Sequence, residues 1–174
     1  MTTTNIIDKV SEAMDKSDYE GAAKAFLDET GAEFKAVFLS HGKHFEDDKD
    51  ERDIYEITLK RGTRVYKFKF GQSINCSGKW WRYGNYKRGV SNVKFASPRD
   101  EWDRNKNFAE PRPYDVLAGM QTCEVGTFEN FCGDFGYDAD SRTAERVYKA
   151  VVDEYNNLKM LFTDAELEAM GNIR

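Results

Sequence analysis

Lys79, Trp80, Trp81, Arg82, Tyr83, Tyr86, Lys87 and Arg88 fall within ten residues, and Lys94, Arg99, Trp102, Arg104 and Lys106 follow them. All three tryptophans of the chain lie in this stretch. Cationic side chains can neutralise phosphates or carboxylates, and aromatic rings can stack on bases or anchor a protein interface. The same mixture can also close on itself through cation–π pairs, its tryptophans covering a sheet and its charges left in water. Composition leaves three readings open: a protein-binding surface, a nucleic-acid contact, or a packed cover.

The other constellations are weaker. His41 and His44 are the only histidines, and their spacing supplies two metal ligands where zinc needs a third and usually a fourth. They read as loop histidines at a strand end. Glu46, Asp47, Asp48, Asp50, Glu51 and Asp53 form an acidic run without the glycine and closing glutamate of a calcium loop. Like charges repel out of a core, so this run reads as a solvated link. Asp134, Asp138, Asp140 and Glu145 share the defect, and Asp140 or Ser141 serves better as a helix cap. Cys76, Cys123 and Cys132 form no CxxC pair, and Cys123 and Cys132 are expected to pack as small hydrophobes. Neither Ser40 nor Ser73 sits in a nucleophile elbow, and Gly62, Gly71, Gly78, Gly84 and Gly89 are too scattered to cradle a phosphate. The expectation is a protein with no catalytic residues, no metal and no cofactor.

The elements around these residues announce themselves by period. Ile6, Ile7, Val10 and Met14 recur at helical spacing, with Thr4 or Asn5 available as a cap. A second helix over about 18–29 buries Ala22, Ala23, Phe26 and Leu27 and stops at Gly31. The period then changes to two. Phe34, Ala36 and Phe38 alternate with Lys35, Val37 and Leu39; Tyr55, Ile57 and Leu59 share a face; Tyr66, Phe68 and Phe70 oppose Lys67 and Lys69. A tight turn at 60–63 joins the last two strands. Residues 72–112 show no clean period. Helices return at Pro113, after the Thr127 cap, along the stripe Ala144, Val147, Tyr148, Val151, Val152, Tyr155, Leu158 and Phe162, and after a Thr163–Glu166 capping box.

This order predicts one α+β domain over 1–174. It comprises a helical N-terminus (1–30), an antiparallel three-stranded meander (33–71) with one face on helices and one in water, a basic Trp-rich insertion (72–112) and a helical segment (113–170). The length suffices for a core without disulfide staples. Net charge is −5, but it is unevenly spread. Residues 1–75 carry 12 basic and 15 acidic groups, 76–108 carry 8 and 3, and 109–174 carry 6 and 13. A basic island therefore sits between acidic segments, and the acidic C-terminal helices offer a second surface for a basic partner. Three loosely spaced cysteines suit a reducing compartment, and the polar N-terminus and the absence of a long apolar run suit the cytoplasm rather than a membrane.

Two blocks, RDIYEITLKRGTRVYKFKFGQS (52–73) and PYDVLAGMQTCEVGTFENFCGDFGYDADSRTAERVYKAVVDEY (113–155), resemble a family of small accessory proteins encoded by bacteriophages and prophages. The pattern FGQS, PYDVLA, GTFENFC and FGYDADSR carries the resemblance, which spans about 34–162 and departs from the family at 74–110. The resemblance implies an intracellular accessory protein of the bacterial host cell and brings no catalytic residues. Its phage context implies an anti-defence role. That role would be a non-enzymatic, anti-CRISPR-like inhibitor docking on a host defence protein such as a CRISPR effector, with the insertion as contact surface, Trp80, Trp81 and Trp102 as anchors and its arginines as charge partners. The alternative is a nucleic-acid-binding accessory protein using the insertion.

Overall fold

The computed structural model describes residues 4–42, 52–73, 80–83 and 111–173. Helix α1 (Thr4–Asp15) presents Ile6 and Val10 to the core, and Thr4 is already helical. Asp18 caps α2 (Tyr19–Thr30) by accepting the Gly21 N–H at 2.9 Å. Gly31 ends it with φ 66, a left-handed conformation that costs glycine nothing.

Strands β1 (Glu33–Gly42), β2 (Arg52–Arg61) and β3 (Arg64–Ser73) form the expected antiparallel meander. In the hairpin Arg61 pairs with Arg64, and Gly62, at φ 61, is the first of the two turn residues. That sign suits the right-handed twist of the flanking strands. Tyr55, Ile57, Leu59, Tyr66, Phe68 and Phe70 are buried on one face, as the period-two pattern requires. The opposite face carries Lys35 and Val37, Glu56 and Thr58, Lys67 and Lys69. Strand β1 obeys the pattern only at its start. Phe34 and Ala36 pack on the core, but Phe38 is 52% exposed, and the register slips between Phe38 and Ser40. Such a bulge disrupts the ladder locally and bends the strand that carries it.

The meander is joined by a further strand. Residues of β4 (Trp80–Tyr83) pair antiparallel with β3, giving the order β1-β2-β3-β4. Part of the segment read as aperiodic is thus sheet.

The remaining helices are α3 (Pro113–Leu117), α4 (Phe128–Phe135), α5 (Arg142–Leu161) and α6 (Asp164–Gly171). Pro113 opens α3, where its missing N–H costs nothing. Thr127 caps α4 through Asn130 N–H, and Thr163 with Glu166 forms the capping box of α6. Two apolar clusters result. The larger joins Val10, Phe26, Ile57, Leu59, Phe70, Val116, Leu158 and Met170 across α1, α2, the sheet, α3, the end of α5 and α6. The smaller joins Phe131 and Cys132 of α4 to Ala144, Val147 and Val151 of α5. Helix α5 therefore belongs to both, and α4 sits as a knob on its first half. Each fully buried side chain of this kind contributes about 1.5–3 kcal/mol.

Candidate interaction surfaces

Of the residues singled out in the basic insertion, Trp80, Trp81, Arg82 and Tyr83 form the backbone of β4. Lys79, Tyr86, Lys87, Arg88, Lys94, Arg99, Trp102, Arg104 and Lys106 lie outside the described residues, as do His44 and Glu46–Glu51. The register sets position 83 opposite Lys69, 82 opposite Phe70, 81 opposite Gly71 and 80 opposite Gln72. Directly opposed residues share a face. Positions 81 and 83 therefore continue the rows of Gly71 and Lys69, and positions 80 and 82 those of Gln72 and Phe70.

On the sheet face opposite the core the rows run straight across the strands. One reads Lys35, Thr58, Lys67; the next reads Val37, Glu56, Lys69 and position 83. Glu56 pairs with Lys67 at 3.2 Å, and Glu33 with Lys60 at 3.4 Å. Among the described residues, neither Lys35 nor Lys69 has a carboxylate within ion-pair distance. The sequence pattern marked Lys67 and Lys69 as the wet side of a strand. It did not reveal that Lys35 joins them, because that depends on the β1–β2 register.

A second surface of opposite sign surrounds α4. Between Pro113 and Ser141 the chain has six carboxylates and no lysine or arginine. Asp115 is buried; Arg112 grips it through Nε at 2.9 Å and Nη2 at 2.9 Å while reaching Glu20 of α2 at 2.8 Å. The other five, Glu124, Glu129, Asp134, Asp138 and Asp140, are exposed. Between them Val125, Phe128, Phe135 and Tyr137 are only partly covered and rest on the smaller apolar cluster. Phe131 stacks with Tyr137 at 5.6 Å, and the Tyr148 hydroxyl donates to the Gly126 carbonyl at 2.9 Å. The acidic knob is thus held against α5 by ring packing and a hydrogen bond.

The structure corrects the placing of acidity on the long C-terminal helix. The exposed face of α5 carries Arg142, Arg146, Lys149 and Lys159 against Glu145 and Asp153. Its remaining acid, Glu154, is fully buried, with Oε2 accepting the Gln121 N–H at 2.8 Å. Counting charges along the chain cannot tell which face they occupy. The position of Glu154 was legible, since it is in phase with Val147, Val151 and Leu158 along the buried stripe. Cys123 is a second correction: it is exposed, because the segment after α3 runs over the surface, whereas Cys132 is buried as expected.

At the other end of the molecule a recess of about 670 Å³ opens between the β2–β3 turn and the α5–α6 junction. Its cations are engaged. Arg61 donates to the Leu161 carbonyl at 2.9 Å and to both oxygens of Glu166 at 2.7 and 2.9 Å. Arg64 donates to the Met160 carbonyl at 2.6 Å, and Lys159 lies 3.6 Å from Asp164. Burial pushes the Glu166 carboxyl up, but the Arg61 guanidinium and the Thr163 N–H outweigh it and hold it below the usual range. This recess is a clamp between sheet and helices.

Among the described residues no group of three or more His, Cys, Asp or Glu is arranged to hold a metal ion. No described helix is long and apolar enough to cross a membrane. Compared with known proteins, the chain matches no family model, no curated protein and no solved structure.

Proposed function

We propose that this protein is a non-enzymatic binder that inhibits a host defence protein by docking on it, in the manner of a phage-encoded anti-CRISPR. The observation that carries the reading is the acidic knob. Five exposed carboxylates share with partly exposed Phe128, Phe135 and Tyr137 a stretch of chain without one basic residue. Partly buried aromatics supply interface anchors, and a field of one sign selects a partner of the other. A nucleic-acid-binding groove on a defence effector is such a partner, since it is lined with lysine and arginine to hold phosphates. A protein that fills it competes with the nucleic acid without catalysing anything. The phage context comes from the resemblance of the FGQS, PYDVLA, GTFENFC and FGYDADSR blocks.

The test is protection of a targeted phage in bacteria that carry a CRISPR system and express the full chain. Plaquing should rise with the wild-type protein and fall back with Glu129→Gln, Asp134→Asn and Asp138→Asn combined. Equal protection by both proteins would remove the knob from the account.

A further inference from the structure

The sheet face turned away from the helices has a chemistry that the acidic knob does not use, and we infer that it binds single-stranded nucleic acid. Three lysines lie close together there. Lys35 and Lys67 flank Thr58 on one row, about 10 Å apart across two strand spacings, and Lys69 stands about 7 Å along β3 from Lys67. Lys35, Lys67 and Lys69 are exposed. Among the described residues, the acids on the face are Glu56 and Glu33, and each already pairs with a lysine of the face, Lys67 and Lys60 respectively. The surplus is therefore positive and sits on Lys35 and Lys69, on a protein whose net charge is −5. A polyanion is the complement of such a face.

The surroundings of these lysines favour nucleic acid over an acidic polypeptide. Position 83, a tyrosine, stands in register with Lys69, and position 81, a tryptophan, with Gly71, on the strand that closes this side of the sheet. Aromatic residues in line with backbone-neutralising cations are the pattern by which open sheets receive unpaired bases. The face is an open sheet with no helix projecting from its described strands, so a single strand lying across it fits better than a duplex groove.

The experiment is fluorescence anisotropy of a labelled oligothymidylate of about 20 nucleotides titrated with the full chain at about 50 and about 200 mM salt. The comparison is Lys35→Gln combined with Lys69→Gln, two exposed changes whose fold is checked by thermal melting. Removing two phosphate contacts lowers the salt slope by about 1.4. The fourfold rise in salt should then cost the wild-type protein about 7-fold more affinity than the double variant. Absence of binding at low salt, or an unchanged slope in the variant, overturns the inference. Polyglutamate competing as well as the oligonucleotide also overturns it, by showing a face that takes any acidic chain. The acidic-knob variants leave this binding unchanged or tighten it, so failure here and failure of the docking reading are separate results.

Discussion

Replacing Arg61 by alanine should destabilise the protein by about 2 kcal/mol at neutral pH, and the loss should shrink in acid. Arg61 ties the tip of the β2–β3 hairpin to both the end of α5 and the start of α6. Its partner Glu166 has a side chain only 14% exposed, and Arg61 itself is 34% exposed. A fully exposed pair is worth about 0–1 kcal/mol, and breaking a fully buried one costs about 3–5. This geometry lies between, and the orphaned Leu161 carbonyl adds about 1 kcal/mol, offset in part by water reaching the site. For a chain of 174 residues, about 2 kcal/mol lowers Tm by about 4–8 °C. The pH dependence follows from Glu166, whose carboxyl is held below its usual range in the folded state. Its contribution is fully present above the unfolded value of about 4.3 and is lost as pH falls through the folded value. Thermal melts of wild type, Arg61→Ala, Glu166→Gln and the double variant, at pH 7 and near pH 3, give the coupling between the two residues directly. A loss below about 0.5 kcal/mol at pH 7, or one that is the same at both pH values, would refute the reasoning, since such values belong to a solvated surface pair.

Three further outcomes follow from two helix glycines and the thiols. Gly31→Ala should cost about 1–2 kcal/mol from backbone strain alone, because φ is 66 and an added Cβ meets nothing within 4 Å. Gly133→Ala inside α4, with equally open space and no positive φ, should instead stabilise by about 0.5–1 kcal/mol, both changes being read by denaturant titration. In a Cys76→Ser background, a thiol reagent should modify Cys123 quickly and Cys132 only on the timescale of local opening, read by mass spectrometry. Cys132 is buried, and burial, helped by Glu129 and Asp138, pushes its thiol up.

The parts of the fold that were legible in the sequence are those governed by local rules. Alternation in Tyr66, Phe68 and Phe70 against Lys67 and Lys69 requires a half-buried strand wherever the chain goes. Gly31, Gly62, Thr127 and Thr163 were read correctly because a cap or turn needs a particular residue type at a particular place. The elements that escaped depend on partners distant in sequence. Four residues, Trp80–Tyr83, carry too short a pattern to mark a strand, and their strand exists by pairing with Lys69–Gln72. Arg61 and Glu166 meet across 105 residues. Lys35 reaches the row of Lys67 only through the register of β1 on β2. Regional net charge identified an acidic C-terminal third, but the stretch of exposed carboxylates without a base is α4 and its flanking loops, while α5 sets Arg142, Arg146, Lys149 and Lys159 against Glu145 and Asp153. Helical phase, applied to charges as it was to apolar residues, separates the two.

The central claim is that the acidic knob docks on a basic protein surface. Its most direct test is parallel capture from a nuclease-treated bacterial lysate with the wild-type chain and with Glu129→Gln, Asp134→Asn and Asp138→Asn combined. The account predicts that one protein of nucleic-acid-binding character is retained in stoichiometric amount by the wild-type chain, is lost with the variant, and is displaced by added nucleic acid. Retention of the same protein by both chains, or indifference to added nucleic acid, would contradict it.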